Sequence, residues 1–135
     1  MSCVSRPQAE IPARRSASVA RVLVADDEPG IRNLICEILK EEGYDVVPAQ
    51  DGPRAVQKAV EDRPDLAIID LMMPGLTGEE VVQRIDQAGL QDLPIIYMSA
   101  VPYSGEVDGA RPAVFIAKPF DIEKFLQTVS RLVHD

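Results

Sequence analysis

The sequence is poor in the residues that staple or metallate a small protein. Among 135 residues it has two cysteines, Cys3 and Cys36, and one histidine, His134. That set supplies neither a disulfide framework nor the clustered spacing of a zinc site, and it suits a reducing cytosol. Basic charge is scarce too: 14 lysines and arginines stand against 22 acids, a net charge of −8. A protein that grips a phosphate backbone normally shows a basic face, so direct nucleic-acid binding is not expected. No apolar run approaches the length of a membrane span. The opening Met1-Ser2-Cys3-Val4-Ser5-Arg6 lacks the charged-then-apolar plan of a secretory signal. The expectation is a cytoplasmic protein without membrane insertion.

What is present fits one domain with a real core, since 46% of the residues are apolar. Residues 1 to 19 carry Pro7, Pro12, three arginines (Arg6, Arg14, Arg15) and no periodicity, which predicts a flexible tail ahead of a domain spanning 20 to 135. Apolar strands and amphipathic helices then alternate. Arg21 to Ala25 reads as a strand, and Pro29 opens a helix with Ile31, Leu34, Ile35, Ile38 and Leu39 on its inner face. Gly43 stands where a left-handed cap is wanted. A strand over 44–47 precedes a helix over 51–62 that faces inward through Ala55, Val56, Ala59 and Val60. Leu66 to Asp70 is the third strand. Thr77 and Glu80 have capping-box spacing ahead of Val81, Val82 and Ile85. Strands over 94–98 and 113–117 follow, and Asp121 caps a last helix with Ile122, Phe125, Leu126, Val129, Leu132 and Val133 on one face.

Continuously apolar strands separated by helices require a parallel sheet covered on both faces. Right-handed crossovers narrow this to a doubly wound α/β sandwich; the expectation is a flavodoxin-like (βα)5 fold of sheet order 2-1-3-4-5, in which the first and third strands are neighbours. Ligand chemistry in such a sheet gathers beyond the carboxyl ends of the strands. Here those ends are polar throughout: Asp26-Asp27-Glu28 after the first strand, Asp70 at the third, Ser99 at the fourth, and Lys118-Pro119 at the fifth. In that strand order Asp26, Asp27 and Asp70 converge. Three carboxylates repel, and a bound cation relieves them. Mg²⁺ suits oxygen ligands and a site completed by phosphate. A hydroxyl and a lysine beside it are the groups that hold phosphoryl oxygens, so a carboxylate there can become an aspartyl phosphate.

The segments "VLVADDEPGIRNLI", "DLAIIDLMMPGLTGEE", "PIIYMSA" and "FIAKPFDIEKFL" together resemble the receiver domain of two-component response regulators. The resemblance implies that Asp70 is the phosphoacceptor and that Asp26, Asp27, Asp70 and the backbone carbonyl of Met72 hold Mg²⁺. It implies that Ser99 and Lys118 bind the phosphoryl group, and that Ser99 and Phe115 form the switch. The Lys118-Pro119 bond is often cis in that family. The expected donor is a histidine kinase or phosphotransfer protein, meeting Arg32, Asn33, Cys36 and Glu37 of the first helix; the output is a changed affinity for a downstream protein. The Leu71-Met72-Met73-Pro74 loop is expected to shield the site. No enzymatic turnover is expected beyond the domain's own phosphorylation and dephosphorylation.

One stretch departs from the family. "VPYSGEVDGARP", residues 101 to 112, occupies the place of the helix before the fifth strand, yet has two prolines and two glycines. Proline costs about 3 kcal/mol and glycine about 1 kcal/mol inside a helix, so this helix is predicted short or irregular. No further module follows the last helix, which suggests a stand-alone receiver. Rival readings fit less well. A haloacid-dehalogenase-type phosphatase wants Asp-x-Asp after the first strand, and an FMN site would be repelled by Asp-Asp-Glu. A receiver-like scaffold that binds partners without being phosphorylated remains the alternative.

Overall fold

A computed structural model describes residues 19–100 and 113–134. The predicted tail and the predicted irregular helix over 101–112 lie outside the described residues. The elements alternate as β1 (Arg21–Ala25), α1 (Pro29–Glu41), β2 (Asp45–Ala49), α2 (Gly52–Asp62), β3 (Leu66–Asp70), α3 (Gly78–Gln87), β4 (Ile95–Ser99), β5 (Ala113–Ala117) and α4 (Ile122–His134). All strand pairs are parallel, in the order β2-β1-β3-β4-β5 expected from the sequence. Among the described residues no helix is long and apolar enough to cross a membrane.

Successive side chains of a strand point to opposite faces, so each strand here feeds two cores. Leu23, Ala25, Ala67 and Ile69 pack with Ala55, Ala59, Val81 and Ile85 of α2 and α3. Val22, Val24, Leu66 and Ile68 pack on the other face with Ile35 and Leu39 of α1 and Phe125 and Val129 of α4. Both faces being apolar is why the strands read as unbroken hydrophobic runs.

Local signals set the helix ends. The Gly43 N–H donates to Lys40 O at 3.0 Å and the Tyr44 N–H to Leu39 O at 3.1 Å, with Gly43 at φ +93. This is a Schellman closure, and it needs a residue that tolerates positive φ. Thr77 and Glu80 form both bonds of the predicted capping box. Asp51 accepts from the Arg54 N–H, and Asp121 from the Lys124 N–H.

Three inner-face assignments are corrected. Leu34, Val60 and Ile122 are 43%, 40% and 48% exposed, whereas Cys36 is buried. The stripe of α1 that meets the sheet is centred on Ile35 and Leu39, so position 36 turns inward and position 34 turns out. Val60 lies beyond the flank of the Ala55–Ala59 stripe, and Ile122 is the first residue of α4.

At the start of α3 the backbone comes very close to β3. A Cβ on Gly78 would lie 2.8 Å from Asp70 O and 2.9 Å from Leu71 Cα. Gly78→Ala is therefore expected to destabilise the fold by about 1–3 kcal/mol, because backbone rather than a flexible side chain must yield. Urea unfolding measures this; an unchanged or raised midpoint means that the strand end gives way freely.

Candidate functional site

The four polar strand ends do come together. Asp26 continues β1 by one residue, its N–H donating to Ala49 O at 3.1 Å. The residue is 2% exposed. Oδ1 accepts from the Glu28 N–H at 2.9 Å, and Oδ2 from Lys118 Nζ at 2.9 Å. Asp70 is the last residue of β3 and is 7% exposed. Its Oδ1 accepts from the Met72 N–H at 3.1 Å and its Oδ2 from Lys118 Nζ at 3.2 Å. Ser99, at the end of β4, is buried, and its carbonyl accepts from the Lys118 N–H at 2.8 Å. That bond prolongs the β4–β5 ladder and brings Lys118 over the sheet edge. The Lys118-Pro119 peptide is cis.

Asp26, Asp27 and Asp70 each offer an oxygen, and these oxygens lie within 4.8 Å of one another. Asp27 is the exposed member. Three carboxylates against one ammonium leave two net negative charges, which a divalent cation matches. All donors are carboxylate oxygens, the set that a hard cation such as Mg²⁺ prefers; with ligands at about 2.1 Å, opposite oxygens stand about 4.2 Å apart. The site residues fit the ion.

Electrostatics follow from burial and crowding. Burial pushes the Asp70 carboxyl up from 3.8; the Met72 N–H opposes this, Asp26 adds to it and Lys118 counters it. Lys118 is held above 10.5: burial acts against its charge, and the hydrogen bond and charge of Asp26, helped by Asp70, overcome that. The lysine is thus bound more closely to Asp26 than to Asp70. Burial also raises the Cys36 thiol.

Two sequence readings change here. The apolar Leu71-Met72-Met73-Pro74 loop is a cover only in part, because two of its side chains are packed inward. Leu71 and Met73 are 7% and 8% exposed members of the core, while Met72 points out at 64% exposure. Its oiliness reflects the β3–α3 turn being packed between strand and helix. The first-helix surface set is also altered: Asn33 and Glu37 are exposed, Cys36 is buried and Arg32 is half-buried. Arg32 Nη1 donates to the Asp26 carbonyl at 2.8 Å. Sequence reasoning missed this contact with the site, since a bond to a backbone carbonyl leaves no side-chain signature. Phe115 is half-buried on β5, in register with Tyr97, and packs against the core face that holds Ala25 and Ile69. A groove lined by Arg63, Asp65, Leu90 and Asp92 lies at the amino-terminal ends of β3 and β4, away from the carboxylates.

The model of the response regulator receiver domain matches residues 22–130. The chain belongs to this family. Sporulation initiation phosphotransferase F of Bacillus subtilis is 32% identical over 117 residues, covering 82% of this chain and 91% of that protein. RpaA of Synechocystis sp., described as a DNA-binding dual master transcriptional regulator, is 34% identical and covers 84% of this chain but 48% of its own length. The chain spans about half the length of other curated relatives that it matches as well. Among solved structures, the response regulator TrrA of Thermotoga maritima, in complex with Mg²⁺ and a beryllofluoride, superposes with a TM-score of 0.75. It is 35% identical and covers 84% of this receiver and 98% of that chain. The flavodoxin-like sandwich inferred from the strand pattern is therefore the fold of this receiver. Receiver domains as a family are signalling phosphoacceptors rather than classical enzymes.

Proposed function

We propose that this receiver takes a phosphoryl group onto Asp70 from the phosphohistidine of a histidine kinase or phosphotransfer protein. The observation that carries the reading is the buried Asp70 at the end of β3, joined through Lys118 to Asp26. In the transfer, a carboxylate oxygen of Asp70 forms the new O–P bond. The P–N bond of the donor breaks, and its electron pair leaves on the imidazole nitrogen, so no proton is needed at Asp70. Burial strips water from the carboxylate and makes it the better nucleophile. Lys118 follows the transferred charge, turning its ammonium from the carboxylates to a phosphoryl oxygen. The Ser99 hydroxyl donates to another.

Asp26, Asp27, Asp70 and the carbonyl of Met72 would hold Mg²⁺, which when bound neutralises charge on the phosphoryl oxygens. Withdrawal of Ser99 toward the phosphoryl group leaves room for Phe115 to turn in, which alters the surface around β5 for a downstream protein. The domain on this reading runs from residue 20 to 135, after a tail over 1–19. A relative that matches over nearly its whole length is itself named a phosphotransferase, which supports a place in a phosphorelay.

The test is intact mass after incubation with acetyl phosphate and Mg²⁺. Gain of one phosphoryl group is expected, abolished by a chelator and reversed by hydroxylamine, which cleaves acyl phosphates. No gain overturns the assignment in favour of a scaffold that binds partners unphosphorylated, and a gain that survives hydroxylamine overturns it in favour of a hydroxyl acceptor.

A further inference from the structure

Asp26 is held at every polar atom. Its N–H donates to Ala49 O, its Oδ1 accepts from the Glu28 N–H and its Oδ2 from Lys118. The fourth tie comes from outside the acidic loop: Arg32 Nη1 donates to its carbonyl at 2.8 Å. The start of α1 needs such a tie. Glu28 stands at the N-cap without a side-chain cap bond, and Pro29 follows it. No capping side chain therefore fixes the loop to the helix, and Arg32 reaches back one turn to do so.

The carbonyl that Arg32 grips belongs to the peptide linking Asp26 to Asp27. A peptide is planar, so holding its oxygen restrains the plane and with it the place of the Asp27 Cα from which that side chain starts. Asp27 is the exposed acid of the three, without the burial that anchors Asp26 and Asp70. One guanidinium thus bears on two of the three carboxylates. It is half-buried, rather than presented outward as the neighbouring Asn33 and Glu37 are.

We propose that Arg32 is a positioning residue for the divalent cation: it sets the Asp26–Asp27 peptide so that both acids face the site. The proposal rests on the reading of these acids as the Mg²⁺ site. Charge and position make opposite forecasts here. As a cation beside three acids, Arg32 repels Mg²⁺, so its removal on charge grounds alone tightens binding. As a positioning residue it aligns ligands, and its removal weakens binding.

The test is calorimetric titration of the unphosphorylated protein with Mg²⁺ alone, for the wild type, Arg32→Met and Arg32→Lys. Loss of groups that orient metal ligands typically costs 10–100-fold in affinity; for this single carbonyl contact about tenfold is expected in Arg32→Met. Arg32→Lys, which keeps a donor, is expected to recover most of it. Labelling by acetyl phosphate in Arg32→Met should require correspondingly more Mg²⁺, with the rate climbing as Mg²⁺ is raised. If Arg32→Met does not fold, Arg32→Leu, which also lacks a donor, replaces it with the same expected weakening. Unchanged or tighter Mg²⁺ binding in the neutral variant overturns the positioning role while leaving the acids as the metal site. A wild type that binds no Mg²⁺ overturns both. A lowered melting temperature with wild-type Mg²⁺ affinity assigns Arg32 to structure alone and also overturns the role.

Discussion

Lys118→Met is expected to lose about 2–4 kcal/mol of stability at neutral pH in metal-free buffer, and to regain much of it when Mg²⁺ is added. Removing one partner of a buried ion pair leaves an uncompensated charge, which costs more than the pair itself contributes. Here two acids are stranded, Asp26 at 2% and Asp70 at 7% exposure. In the wild type the lysine serves both throughout the working range. Its pKa is raised on folding, so its contribution is fully present below 10.5 and is lost only as pH rises through the still higher folded value. In the variant, acid replaces the missing cation: as pH falls, the Asp70 carboxyl, already raised, takes up a proton and the deficit shrinks. Mg²⁺ binds only the folded site, so it stabilises by mass action and narrows the gap at constant pH. Phosphoryl uptake from acetyl phosphate is expected to fall about 10²–10³-fold even at saturating Mg²⁺, the usual cost of removing one fixed donor from a developing anion. Urea unfolding with chelator or Mg²⁺, and mass-resolved labelling rates, check the two halves. A variant as stable as the wild type without metal shows that water, not Lys118, shields the acids.

The sequence made the site legible because a parallel sheet couples two simple signals. Unbroken apolar runs mark the strands, and the first polar residue after each run marks the edge where ligands bind. Asp26, Asp70, Ser99 and Lys118 could be grouped that way before any contact was known. The capping box at Thr77 and the Gly43 closure were equally plain, since each needs a particular residue at a particular spacing. Helix faces were read less well at their margins. A helical stripe tells which side packs but not how far round the sheet reaches, and Leu34, Val60, Ile122 and Cys36 fall at that boundary. The apolar turn after Asp70 misled for a different reason. Leu71 and Met73 are core residues carried on a loop, and composition cannot separate a buried loop from a hydrophobic cover. The Arg32–Asp26 tie was hidden altogether, because every residue presents the same carbonyl. Within the site, the closer grip of Lys118 on Asp26 than on Asp70 depends on tenths of an ångström that no spacing encodes.

Asp70→Asn is expected to accept no phosphoryl group, and in the same experiment to be the more stable protein at neutral pH without metal. The first half follows from chemistry: an amide is no nucleophile toward phosphorus, and a wild-type mass gain in this variant would reassign the acceptor. The second half follows from the direction of the Asp70 shift. Burial and Asp26 raise its pKa above 3.8, so in the window above that value the folded state holds more of the proton than the unfolded state does. Stability then falls as pH rises through the window, and above the folded value the penalty is complete. Asparagine escapes it. The variant should match the wild type in acid, gain on it as pH climbs, and lead by about 1–2 kcal/mol at neutral pH, roughly 3–6 °C in Tm. Losing the Lys118–Asp70 contact works the other way, but it is the longer of the lysine's two bonds, 3.2 Å against 2.9 Å, and Lys118 keeps Asp26. The Met72 N–H keeps an acceptor in the amide oxygen. Mg²⁺ should reverse the order, because the wild type offers the ion three carboxylates and the variant two. A variant less stable than the wild type at neutral pH in chelator would mean that the Lys118–Asp70 pair outweighs the burial and crowding of the acids. The site would then be built for structural strength, rather than holding a destabilised carboxylate ready to be relieved by metal and phosphoryl group.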